Sequence, residues 1–131
     1  MSWVEDRDRL YSGIPEFWNL FCIEIEETAK AFRRSSFAAD HKLTCAVSAN
    51  RGCRHVTRLK MGAGKPEGYV DLCLDEDSRR VFSRIGESEQ SSLNFGLDAQ
   101  ASVCLLDSEG VPMSLQQACK FFLGEFLFAP R

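Results

Sequence analysis

The side chains best suited to chemistry in this chain are its six cysteines and two histidines, and their spacing does not assemble a metal site. No two cysteines form a C-x-x-C pair, and only His41 and His55 could add nitrogen ligands. Most of the cysteines fall within apolar patterns, where a free thiol behaves as a small hydrophobic side chain. We therefore predict six reduced thiols and no metal or cofactor, with a set of disulfides as the main alternative. The six are Cys22, Cys45, Cys53, Cys73, Cys104 and Cys119.

Catalytic motifs are absent from the sequence. It contains no G-x-S-x-G, no P-loop and no G-x-G-x-x-G, and the segment 62–66 (Gly-Ala-Gly-Lys-Pro) lacks the spacing of a phosphate-binding loop. A histidine–cysteine dyad would need a contact that no spacing predicts. Asp107 and Glu109 lie in a turn, where acidic residues are common for local reasons. We predict no catalytic residues.

The net charge of −3 conceals a gradient along the chain. Residues 1–40 hold 8 acidic and 5 basic side chains, residues 41–84 hold 5 and 9, and residues 85–131 hold 6 and 2. The middle of the chain is therefore basic and both ends are acidic, a pattern that bears on which partners the surface attracts.

Two helices are predicted, one near each end. Residues 1–13 form a polar lead-in, with a short turn or helix around Val4–Tyr11 left open, and Gly13-Ile14-Pro15 then opens the first helix, because proline suits the first helical position. Its apolar residues recur at helical spacing from Phe17 to Phe32. Ser114 and Gln117 match a capping box that opens the C-terminal helix.

Between the helices the apolar period changes to two, which predicts short strands joined by turns. The expected strands lie near residues 43–48, 53–61, 69–74, 79–85, 93–97 and 101–106. Consecutive strands with short links favour an antiparallel meander. We predict a single α+β domain over residues 1–131, with five to six strands and both amphipathic helices packed on one sheet face.

If Val70, Leu72 and Leu74 face the helices, the alternate residues face outward and form a surface of interleaved basic and aromatic side chains. Such a face could hold an acidic protein surface, stack bases and contact phosphates, or simply be a solvated sheet face. Its proposed binding residues are Arg54, Arg58, Lys60, Tyr69, Arg80, Phe82 and Arg84.

The C-terminal helix is apolar nearly all round, which predicts burial on every side. One sheet face cannot cover it. Either the first helix flanks it, or Phe121, Leu123 and Phe128 contact another chain, such as a second copy in a homodimer.

These observations favour a small, non-enzymatic protein-interaction module, chaperone-like and dimeric in one version. Two alternatives stay open: a ligand-binding or enzymatic domain with a cavity lined by His55, Thr57 and Ser83, and nucleic-acid binding, which the net acidity disfavours. No apolar run approaches the ~18 residues of a membrane span, and the acidic start does not read as a secretory signal. We expect a cytoplasmic protein with no membrane contact.

The order of helix, sheet and helix loosely resembles the type III secretion chaperones, which are usually dimeric. The resemblance rests on Leu20-Phe21-Cys22, on the 103–106 strand with its following turn, and on the 122–127 helix. Those chaperones have a helix between their strands, whereas this sequence has no helical stretch between Leu43 and Leu106.

Overall fold

The computed structural model describes residues 3–40, 44–49, 56–62 and 68–128. It has an α+β fold. Along the chain, an antiparallel meander follows an N-terminal helix and precedes a C-terminal helix, as the sequence predicts. The strands follow one another in space as they do in the chain, from β1 to β7. The elements are α1 (Trp3–Arg33), α2 (Ser36–Asp40), β1 (Thr44–Ala49), β2 (Val56–Gly62), β3 (Gly68–Asp75), β4 (Arg80–Ile85), β5 (Ser88–Leu97), β6 (Val103–Leu106), β7 (Pro112–Met113) and α3 (Leu115–Phe128).

The first helix begins ten residues before Gly13, so the predicted opening at Gly13-Ile14-Pro15 was wrong. Pro15 lies inside α1, where its missing N–H removes one backbone hydrogen bond. The segment before it stays helical because Leu10 and Ile14 are buried in the core. Gly13 serves a different purpose: a Cβ there would overlap Val103 Cγ2, so glycine allows α1 to approach β6 closely.

The core lies between the inner sheet face and the helices. Phe17 of α1 meets Phe95 of β5 edge to face, with ring centroids 5.3 Å apart. Phe21 contacts Phe122 of α3 at 6.1 Å, so α1 lies against both the sheet and α3. Val70, Leu72 and Leu74, which the alternation placed inward, are buried in this core. Aromatic pairs of this kind add to the stabilisation that burial provides.

Ser114 and Gln117 form the predicted capping box at the start of α3. The Ser114 backbone N–H donates to Gln117 Oε1 at 2.8 Å, and the Gln117 N–H donates to Ser114 Oγ at 3.1 Å. Two N–H groups at the helix start are thereby satisfied.

Polar side chains inside the core have partners within it. Thr57 Oγ1 lies 3.1 Å from Cys22 Sγ, and the hydroxyls of Ser83 and Ser91 are 2.8 Å apart. Thr57 and Ser83 are two of the three residues expected to line a ligand cavity, and these contacts give them structural roles. His55, the third, lies outside the described residues.

In the described stretches between Thr44 and Leu106 there is no helix, so the departure from the secretion chaperones seen in the sequence holds in the structure. No helix in the described part of the chain is both long and apolar enough to cross a membrane.

Candidate functional site

The sheet face turned away from α1 carries most of the predicted binding residues, and we call it the outer sheet face. Antiparallel pairing places Arg58 opposite Asp71, and Asp71 opposite Arg84, in one row across β2, β3 and β4. Arg54 belongs to the prediction but lies outside the described residues. The outer sheet face includes Arg58, Lys60, Tyr69, Asp71, Asp75, Arg80, Phe82, Arg84 and Glu89.

At its centre lies the Asp71 cluster, formed by Arg58, Asp71 and Arg84. Arg58 Nε and Nη2 donate to the two oxygens of Asp71 at 2.7 and 3.0 Å, a bidentate pair that raises the pKa of Arg58 above its ordinary value. Arg84 Nε lies 3.5 Å from Asp71 Oδ2. Asp71 is only 1% exposed, so two guanidinium groups cover one buried carboxylate.

Arg84 is the less satisfied of the two arginines. Its Nε is buried and has no hydrogen-bond partner among the described residues, despite its closeness to Asp71. A register shift between Ser83 and Arg84 in the β4–β5 ladder places Arg84 opposite Glu89. Such bulges re-aim side chains, and this one lies directly beside the cluster. Arg84 is therefore held beside Asp71 by charge rather than by a hydrogen bond from Nε, and part of its side chain, which is 35% exposed, reaches the surface.

Two aromatic rings support the arginines. Arg58 lies over Tyr69 with its guanidinium carbon 4.2 Å from the ring centroid, and Arg80 lies over Phe82 at 4.6 Å. Arg80 also donates from Nη1 to Glu89 Oε1 at 2.7 Å. Stacking restricts the guanidinium planes, so both arginines are held in fixed positions before any partner arrives.

The charges on this face nearly balance. Four cations (Arg58, Lys60, Arg80, Arg84) lie with three carboxylates (Asp71, Asp75, Glu89), which leaves an excess of one positive charge. Lys60 is exposed, and no described residue forms an ion pair with it. The net positive charge is thus concentrated at Lys60 and Arg84 rather than spread evenly.

The C-terminal helix divides into buried and exposed residues. Phe121 is 45% exposed, whereas Leu123 is 1% exposed because it packs into the core. The expectation that Leu123 contacts a partner therefore needs correction. Phe128 is the last residue of α3, and its side chain lies outside what the structure describes.

An open groove of about 570 Å³ lies between β7 and α3, a site that the sequence did not indicate. Val111 and Phe121 are exposed along it, and Asp107 and Lys120 carry its charges. The sequence named Phe121 as a possible contact but did not indicate a groove, because β7 is two residues long and gives no alternation.

The described cysteines and Asp107 have surroundings that suit structural rather than chemical roles. Cys22, Cys73, Cys104 and Cys119 are free thiols, and burial raises the pKa of Cys119 to about 12. Such a thiol is a poor nucleophile at neutral pH. Asp107 Oδ1 accepts the N–H groups of Glu109 and Val111, both at 2.9 Å, which is a turn role.

The candidate metal ligands lie apart from one another in the part of the chain that is described. Within it, no three His, Cys, Asp or Glu side chains are grouped closely enough to hold a metal ion. His41 and His55, the only histidines, lie outside the described residues, and so do the side chains of Cys45 and Cys53. Asp71 is a candidate functional residue that was not among the predicted binding residues. The sequence did indicate it, because an outward-facing carboxylate on β3 lies between two strands that carry arginines.

A search of protein-family models, of curated proteins and of solved structures finds no match to this chain.

Proposed function

We propose that this protein is a non-enzymatic interaction module that binds an acidic polypeptide surface on its outer sheet face. The observation that carries the proposal is the arrangement of Arg58 and Arg84 around the buried Asp71, with Lys60 exposed beside them. Arginine recognises carboxylates through a planar set of donors, and its donors here are held before binding.

Pre-organisation supports this reading over that of a merely solvated sheet. A flexible surface arginine loses side-chain entropy when it binds, whereas Arg58 is already fixed by Asp71 and Tyr69. Tyr69 and Phe82 add apolar area next to the cations. Protein interfaces are enriched in tyrosine, phenylalanine and arginine, in agreement with this composition.

A protein partner suits the charges better than nucleic acid does. The outer sheet face has one excess positive charge, and the whole chain carries a net charge of −3. Proteins that bind nucleic acid usually neutralise several phosphates and carry basic surfaces to do so. Nucleic-acid binding is therefore the alternative, and an experiment must distinguish it from the binding of an acidic polypeptide.

The test is fluorescence anisotropy with a labelled glutamate-rich peptide containing leucines, and with a labelled single-stranded oligothymidylate of equal length. We expect the peptide to bind and Arg84→Gln to weaken its binding about tenfold, the loss of one charge-assisted contact. Arg9→Gln, an exposed arginine on α1, is the matched control and should bind like the wild type.

Two results would contradict the proposal. Equal peptide binding by wild type and Arg84→Gln would remove the outer sheet face as the site. Tighter binding of the oligothymidylate, lost in Arg84→Gln, would favour nucleic acid instead.

The groove between β7 and α3 is a second candidate surface. Phe121 is 45% and Val111 52% exposed along it, which favours an apolar contact, including homodimer formation through α3. Phe121→Ser should then lower the solution mass of a dimer, measured by light scattering. Four free thiols in the described residues suit a reducing compartment, and we propose the cytoplasm as the location.

A further inference from the structure

Helix α1 presents an acidic and apolar surface on the side that faces away from the core. Leu20 is 48% and Ile23 56% exposed, although large apolar side chains of this helix are otherwise mostly buried. Exposed glutamates surround them, and one of these, Glu27, pairs with Lys30 at 3.3 Å. We call this surface the α1 stripe, and it comprises Glu16, Leu20, Ile23, Glu26 and Glu27.

The α1 stripe and the outer sheet face are complementary in charge and in chemistry. The stripe offers carboxylates around two aliphatic side chains, and the sheet face offers Lys60 and Arg84 beside two aromatic rings. The sequence divides charge in the same way. Residues 1–40, which include the stripe, hold 8 acidic against 5 basic side chains, and residues 41–84, which carry most of the outer sheet face, hold 9 basic against 5 acidic. Surfaces of opposite charge attract one another and fix register.

The two surfaces cannot meet within one molecule. The inner sheet face is covered by α1, so the stripe lies on the far side of the helix layer and the outer sheet face on the far side of the sheet. A contact between them therefore joins two copies. It is also heterologous, because each copy uses a different surface on its two sides.

We propose that the outer sheet face of one copy binds the α1 stripe of a second copy, so that the protein associates head to tail. This inference rests on the proposed function and names the acidic partner of the same site. The contact pairs Lys60 and Arg84 with glutamates of the stripe, and places Leu20 and Ile23 near Tyr69 and Phe82.

The test uses two variants of the full chain, each of which disables one side of the contact. The sheet variant is Lys60→Gln with Arg84→Gln, and the helix variant is Ile23→Ser with Glu26→Gln. Val4→Ser is the matched control, because Val4 is 48% exposed on α1 but belongs to neither of the two surfaces. Circular dichroism first establishes that each variant is folded, and light scattering over a range of concentrations at low salt then gives the mass.

We expect the wild type and Val4→Ser to grow in mass with concentration, and added salt to reverse the growth. Each double variant should associate at least tenfold more weakly. An equimolar mixture of the two should form a complex of two chains that grows no further, because the mixture contains one intact sheet face and one intact stripe per pair.

Other outcomes would overturn the inference. A closed dimer that survives both double variants but dissociates in Phe121→Ser would place the contact at the groove beside α3. A wild type that stays monomeric at every concentration would also overturn it. If the glutamate-rich peptide still binds that monomer, the proposed function survives; if the peptide fails too, both proposals fall.

Discussion

Asp71 is the residue on which the outer sheet face depends. A carboxylate that is 1% exposed is costly to bury unless cations pair with it, and Arg58 and Arg84 supply that pairing. Removing the carboxylate would leave the two guanidinium groups close together with no charge between them. The cluster is therefore both a structural device and the scaffold of the proposed binding surface.

The variant Asp71→Asn should lower the free energy of unfolding by about 2–3 kcal/mol, because it breaks a buried, bidentate ion pair. Urea denaturation measures the loss. Asp77→Asn, in the exposed turn between β3 and β4, is the control and should change stability by less than about 0.5 kcal/mol. A similar effect of both substitutions would show that burial of Asp71 contributes nothing special.

Cys119 gives a pH dependence of known sign. Burial is the main cause of its rise in pKa from 9.0 to about 12, so the folded thiol keeps its proton where the unfolded thiol loses it. The unfolded state then binds fewer protons between these values, and the free energy of unfolding falls as the pH rises through them. Below pH 9 this contribution is complete.

We therefore expect Cys119→Ala to unfold with a flatter pH dependence than the wild type between pH 9 and 12. Urea denaturation at several pH values measures the two slopes, and their difference isolates this thiol from the ionisable groups that both proteins share. Identical slopes would mean that the Cys119 thiol ionises equally in both states.

At the scale of elements, two helical glycines make a matched pair. A Cβ at Gly13 would overlap Val103 Cγ2, whereas a Cβ at Gly124 would meet only Lys120 Cγ, at 3.7 Å. Alanine favours a helix over glycine by about 1 kcal/mol at either position. We expect Gly124→Ala to stabilise by about 0.5–1 kcal/mol, and Gly13→Ala to destabilise by about 1–2 kcal/mol because overpacking outweighs helix propensity.

Thermal or urea denaturation of both glycine variants checks this pair. Stabilisation by both would show that α1 and β6 can separate slightly at no cost. Destabilisation by both would show that Gly124 has a packing role that its surroundings do not reveal.

The same elements show what local patterns predict and where they stop. Alternation in β3 and β4 gave the inner and outer faces in the correct register, because a two-residue period is read directly from side-chain types. The capping box also appeared as predicted. The start of α1 was misplaced because Pro15 is a strong local signal that tertiary burial of Leu10 and Ile14 overrides.

The candidate site was predictable only in part. The sequence indicated which side chains share the outer sheet face, but the bidentate pair of Arg58 with Asp71 and the groove beside α3 depend on strand neighbours and helix packing. Two short elements, α2 and β7, were missed because they span only 5 and 2 residues and show no period.

For the molecule as a whole, we expect one cooperative folding unit. The sheet is continuous from β1 to β7, and α1 packs against strands toward both edges of that sheet. Fluorescence of Trp18, which is buried in the core, and far-ultraviolet circular dichroism should then report the same urea midpoint. Trp3→Phe removes the exposed second tryptophan without touching the core. Separate midpoints would indicate a sheet that unfolds in parts.

The sequential strand order determines the order in which parts of the chain can fold. Every strand pairs with its neighbour in sequence, so the sheet can grow hairpin by hairpin from local contacts. Helix α1 is different, because Phe17 packs against Phe95 and Phe21 against Phe122, and both partners come much later in the chain. During synthesis, the apolar face of the first helix emerges early and stays uncovered until most of the chain has followed, which makes its capture by the finished sheet the late, aggregation-prone step of folding.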